Sequence, residues 1–128
     1  MLGSSSVAAV VAVKDIERAK EFYGETLGLT AADEAQDGVY YACGGDTRLF
    51  VYQSGYAGTN QATAVSWEVD DVLAEVDSLQ QRGVTFEEYD SIPDVTRDGA
   101  VHRAETIGIT AAWFKDPDGN ILNIVSRD

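Results

Sequence analysis

Apolar and polar positions along this chain fall into two blocks that repeat one another. Residues 7–13 form an unbroken apolar run of strand length and stop at Lys14-Asp15. Asp15 is a good helix cap, and Ile16, Ala19, Tyr23 and Leu27 then recur at helical spacing until Gly28 closes the helix. The same order returns farther on. Residues 64–69 alternate as a half-buried strand, Asp71 caps a helix with Val72, Val76 and Leu79 on one face, and Gly83 ends it. Short strand candidates separated by Gly and Asp follow each helix, at 30–32, 39–43 and 48–52 and again at 84–89, 109–114 and 121–125. Each half reads β-α-β-β-β. The prediction is one α+β domain over residues 1–128, with module one at about 7–54, a polar Gly-rich link at about 55–62 and module two at about 63–126.

One such module exposes an apolar sheet face that it cannot cover. Two modules side by side, each with its helix on the outer face, leave a concave eight-stranded surface between them. Concave surfaces with a few polar groups are where small molecules bind. A ferredoxin-like α+β sandwich accounts for the same element types, but not for the matched spacing of the two Asp-capped units.

Composition narrows the partners. Nine Lys and Arg oppose 22 Asp and Glu, a formal charge of −13, which repels phosphate backbones and anionic lipid. Nucleic acid and membrane surface are therefore poor candidates. The N-terminus carries no charged leader pattern and residues 7–13 are too short to span a bilayer, so the expected location is cytoplasmic. The single Cys43 fits a reducing compartment and reads as a small core residue rather than a nucleophile.

The residues at this point resemble a family. The segments VAVKDIERAKEFY at 11–23 with Leu27-Gly28-Leu29, EVDDV at 68–72, and WFKDPDGNIL at 113–122 are similar to vicinal-oxygen-chelate proteins, the glyoxalase, bleomycin-resistance and extradiol-dioxygenase group. A lone Asp116-Pro117-Asp118-Gly119 is merely a good turn. Placed before a terminal strand in the second of two matched modules, it becomes specific. The resemblance implies a shared trough, which metal-dependent members use to hold a divalent ion through His, Glu or Gln. The ligands lie seven residues before each capping Asp, four residues after the turn Gly, and at the matching place on the last strand of module one. Here those positions are Ala8, Ala64, Asn123 and Phe50, the last with a register uncertainty of one residue. Two Ala, a Phe and an Asn make no transition-metal site, so neither a metal nor another cofactor is expected.

Strand alternation puts Ala8, Val10 and Ala12 toward the trough, with Ala64, Ser66 and Glu68 opposite and Arg48, Phe50, Tyr52, Ile121, Asn123 and Val125 on the sides. Trp67 reads as core under the second helix, whereas Trp113 reads equally as core or trough. The cations of the long connection 91–106, Arg97 and Arg103 among them, either meet an anionic ligand group or pair with the protein's own carboxylates. His102, in the same connection, reads as exposed or hydrogen-bonded rather than as a ligand. The expectation is a binding module for a small, flat aromatic molecule, paired as a homodimer. The alternative is a lyase, isomerase or dioxygenase-type enzyme, using metal ligands at other positions or acid–base chemistry through Glu68, Tyr52 or His102. A partner-binding domain with a vestigial trough is a third reading.

Overall fold

Both capping aspartates do what their positions predict. Asp15 Oδ1 accepts the backbone N–H groups of Glu17 at 3.0 Å and Arg18 at 3.3 Å, and Asp71 Oδ1 accepts that of Ala74 at 3.1 Å. In the computed structural model, which describes all 128 residues, they open helices α1 (Ile16–Ala19) and α2 (Val72–Gln81). Helix α1 runs on through a π-helical stretch, Lys20–Thr26, where Leu27 N–H reaches back five residues to the Phe22 carbonyl at 2.8 Å. Within this stretch Tyr23 is buried and Phe22 packs half-buried against the core.

Nine strands surround the helices: β1 (Ala9–Val13), β2 (Thr30–Ala35), β3 (Gly38–Ala42), β4 (Arg48–Gln53), β5 (Thr63–Glu68), β6 (Thr96–Asp98), β7 (Val101–Ala104), β8 (Ile109–Lys115) and β9 (Ile121–Arg127). They form a four-stranded sheet in the order β1-β4-β3-β2 and a five-stranded sheet in the order β5-β9-β8-β7-β6. Each module opens with a parallel pair, β1 with β4 and β5 with β9, and continues antiparallel. The predicted repeat is thus present in the hydrogen-bond topology. The two sheets approach along β1 and β5 but remain separate hydrogen-bonded ladders.

Two strand assignments change. Residues 84–89 make no strand. Only Phe86 bridges to Phe114, after which the chain leaves the sheet. The predicted connection 91–106 instead holds the hairpin β6–β7, whose second strand returns to pair with β8 at His102↔Ala111. One outer position beside β8 is therefore shared by two separate segments, and the strand count is nine rather than eight.

A single apolar cluster of 18 buried residues draws on both modules. It combines Val11, Val13, Leu49 and Val51 of sheet one with Val65, Phe114, Leu122 and Ile124 of sheet two, and with Ala19, Tyr23, Val76 and Leu79 of the helices. Phe22 lies 6.5 Å from Phe114, so α1 touches the second sheet as well as its own. Trp67 stacks on Phe114 and lines the apolar gap beside Leu79, on the core side as predicted, while Cys43 packs half-buried against the same cluster.

The turn 116–120 is more than a turn. Asp116, buried, accepts the Tyr23 hydroxyl at 2.6 Å, the backbone N–H of Asp118 and of Asn120, and the Asn120 side-chain amide. Asn120 also donates to the Ala12 carbonyl at 2.7 Å and accepts Gly58 N–H, and Asp118 holds Arg18 at 2.6 Å. Module one, the link and module two meet at this clamp.

Candidate functional site

Opposite the core, sheet two presents ordered rows of side chains. Register places Ser66, Asn123 and Trp113 side by side in one row, and Glu68, Val125, Ala111, His102 and Arg97 in the next. Trp113 of the first row lines a cleft of about 750 Å³, walled also by Tyr89, Ile92 and Ile121 and edged by Asn60 and Gln61 of the link and Thr63 of β5. That volume suits a drug-sized molecule. The Trp113 indole N–H donates to Thr63 Oγ1 at 3.2 Å, which fixes the plane of the ring. Tyr89 meets Trp113 edge-on at 5.5 Å. Its phenol pKa is pushed up, first by burial and then by the Glu87 carboxylate, so Tyr89 stands in the wall as a neutral ring.

The rim carries little free positive charge. Lys115 pairs with Glu87 at 3.1 Å, and Arg97 grips Asp90 through two nitrogens at 2.8 and 3.2 Å while donating to the Gly99 carbonyl. The hydrogen bonds from Arg97 hold the Asp90 carboxyl below its ordinary range. Arg103 points to the other side of β7, toward Thr110, where it binds Asp128 at 2.6 Å and Glu105 at 3.3 Å. Arg97 therefore borders the cleft side of the sheet, and Arg103 does not.

Sheet one bears a second aromatic surface. The Arg48 guanidinium lies 4.9 Å over the Tyr40 ring, Tyr40 stacks on Phe50 at 4.4 Å, and Phe50 on Tyr52 at 5.8 Å. Val10, opposite Phe50, is 52% exposed. A smaller cleft of about 270 Å³ joins Arg48 of this surface to Ser66 of sheet two, whereas Tyr40, Phe50 and Tyr52 line none of the main clefts.

The donor set does not fit a metal. Phe50 and Asn123 occupy the faces predicted for them, Ala64 sits at the bulge between Thr63 and Val65, and Ala8 directly precedes β1. Of these four positions only Asn123 offers a donor atom. Its Oδ1 is buried and finds no hydrogen-bond partner in the protein, and one neutral amide oxygen cannot retain a divalent ion by itself. Nowhere do three His, Cys, Asp or Glu side chains converge. The acid–base candidates stand apart too. Tyr52 lies on sheet one, and Glu68 and His102 are separated by three strand spacings, roughly 14 Å.

Sequence reasoning missed Tyr40, Tyr89, Ile92 and the link residues of the cleft. Tyr40 was readable, because alternation against buried Val39 and Tyr41 puts it beside Phe50. Tyr89 carried no such signal, since it follows the point where the chain abandons the sheet. His102 proves buried, at 1% exposure, with both ring nitrogens engaged.

Comparison with known proteins agrees with this geometry. The family model of the glyoxalase/bleomycin resistance protein/dioxygenase superfamily matches residues 6–124. TnmS3, an antibiotic binding protein from Streptomyces sp. CB03234, is 25% identical, with 98% of each chain covered and a TM-score of 0.69. A glyoxalase family protein from Enterococcus faecalis shares the fold at 17% identity, covering 98% of this chain and 99% of its own, with a TM-score of 0.71. A glyoxalase/bleomycin resistance protein from Catenulispora acidiphila DSM 44928 does so at 20% identity, covering 98% and 100%, with a TM-score of 0.70. No curated protein matches. With the repeated modules, the clamp at Asp116 and the family match over nearly its whole length, this chain belongs to the glyoxalase/bleomycin resistance protein/dioxygenase superfamily.

Proposed function

We propose that the protein is a binding module that holds a small planar aromatic molecule without a metal, comparable to the drug-sequestering members of its family. The observation that carries this reading is the cleft of about 750 Å³ beside the Trp113–Tyr89 pair. A ring fixed by its own hydrogen bond offers a flat apolar face at little entropic cost to the complex. The description of TnmS3 as antibiotic binding supports the same class of role. A catalytic reading gains no comparable support, because Tyr52, Glu68 and His102 do not converge.

The test is equilibrium binding of a panel of planar aromatic compounds, followed by fluorescence or native mass spectrometry. Trp113→Ala should weaken the best binder by about 10-fold or more, and chelator should leave its affinity unchanged. Elemental analysis of untagged protein giving close to one metal per chain, with binding lost on chelation, would overturn the metal-free reading. We further propose that two copies pair. The support is the aromatic surface Tyr40–Phe50–Tyr52 with exposed Val10 beside it, an apolar area that no other part of the chain covers.

A further inference from the structure

His102 is the chain's one histidine, and its surroundings define its protonation. Ring Nδ1 lies 2.9 Å from the Ala100 carbonyl oxygen, which can only accept, so Nδ1 carries a proton. Ring Nε2 lies 3.0 Å from the backbone N–H of Tyr89, which can only donate, so Nε2 carries none. The neutral tautomer is the only form that satisfies both partners. The same ring meets Trp113 edge-on at 5.0 Å and lies 5.8 Å from the Tyr89 ring, so three rings pack at one corner of the cleft.

Tyr89 has no ladder of its own. Its segment left the sheet after the Phe86 bridge, and Glu87 N–H to Trp113 O is the last backbone bond before it. Beyond that point two side chains of the β6–β7 hairpin return the segment to the sheet: His102 holds Tyr89, and Arg97 holds Glu88 and Asp90.

We propose that His102 is a positioning residue of the cleft, whose neutral ring holds Tyr89 against Trp113, so that ligand binding fails as the ring takes up a proton. This rests on the cleft being the binding site. A proton on Nε2 would set two N–H groups against each other and release the Tyr89 backbone. The charges around the ring do not compensate. Arg97, opposite His102 on β6, is matched by Asp90 and Glu88; Lys115 near Tyr89 is matched by Glu87; and Glu68 lies at the far end of the row.

The experiment follows two quantities as the pH is lowered from neutrality through the protonation of the ring. One is the affinity for thioflavin T, a planar dye of fixed charge. The other is the hydrogen-exchange protection factor of the Tyr89 amide, measured beside the imidazole titration by NMR. In the wild type, protection of Tyr89 should fall with the midpoint of the imidazole, and dye affinity should fall by about 3- to 10-fold, the worth of one hydrogen bond. His102→Gln, whose side-chain oxygen can stand in for Nε2 without titrating, should keep the neutral-pH affinity and lose that extra acid dependence. His102→Ala should bind weakly at every pH. Parallel pH profiles in wild type and H102Q, or Tyr89 protection that ignores the imidazole midpoint, would overturn the proposal. Dye that fails to bind wild type at neutral pH would count against the site. The Tyr89 protection factor, which needs neither ligand nor variant, would still decide the role of His102.

Discussion

The Tyr23 hydroxyl donates to a carboxylate that is itself buried, and this governs how the chain meets alkali. Burial first, and the Asp116 charge second, raise the phenol pKa far above its ordinary value of 10.0. The sign follows directly. Above that ordinary value the unfolded chain loses this proton and the native chain keeps it, so stability is full below about pH 10 and falls by about 1.4 kcal/mol per pH unit above it. Tyr23→Phe should cost about 1–3 kcal/mol at neutral pH, because it takes a donor from buried Asp116. It should also flatten the alkaline slope, and denaturant midpoints measured across pH 8 to 11 in both proteins check this. Equal slopes would mean that another group governs alkaline unfolding.

At the scale of elements, the hairpin β6–β7 separates two arginines that look equivalent along the chain. Arg97 ties the Tyr89 segment back through Asp90, whereas Arg103 turns away and pairs with Asp128. We expect Arg97→Ala to weaken ligand binding several-fold and to speed proteolysis within residues 88–95. Arg103→Ala should leave binding unchanged, and both variants should lose only a small part of the thermal stability, since each breaks ion pairs to exposed carboxylates and one further hydrogen bond. Equal loss of affinity in the two variants would place both cations at the ligand. The hairpin also shows where sequence reading stops. Asp15 and Asp71 announced both helices because a cap is a local event, and alternation in β4 and β9 assigned Phe50 and Asn123 to the concave face. Strands of three and four residues at a sheet edge are too short to show a period, and Val84 to Phe86 have the composition of a strand without a continuous neighbour to pair with. The cleft was legible by halves: Trp113 lay on a readable strand, while Tyr89 is placed by a contact to His102 that no local pattern encodes.

At the scale of the whole molecule, both modules share one apolar cluster, so neither is expected to fold without the other. The aromatic surface on sheet one lies outside that cluster, and the proposed pairing of two copies would cover it. Light scattering at micromolar concentration should then give twice the 13.8 kDa chain mass. Phe50→Glu should shift the mass toward a single chain while leaving the cooperative unfolding transition in place. A wild-type mass equal to one chain would leave that surface to solvent or ligand alone.

The link between the modules belongs to both the clamp and the cleft. Ala57 is buried, Gly58 donates to Asn120 in a left-handed conformation where any Cβ would collide with the Asp118 carbonyl oxygen, and the residues that follow edge the ligand space. Connecting segments ordinarily drift in length over evolution because little depends on them. Here an insertion after Thr59 would leave the clamp standing and redraw the wall of the cleft, so relatives that differ in this stretch should differ in what they hold before they differ in whether they fold.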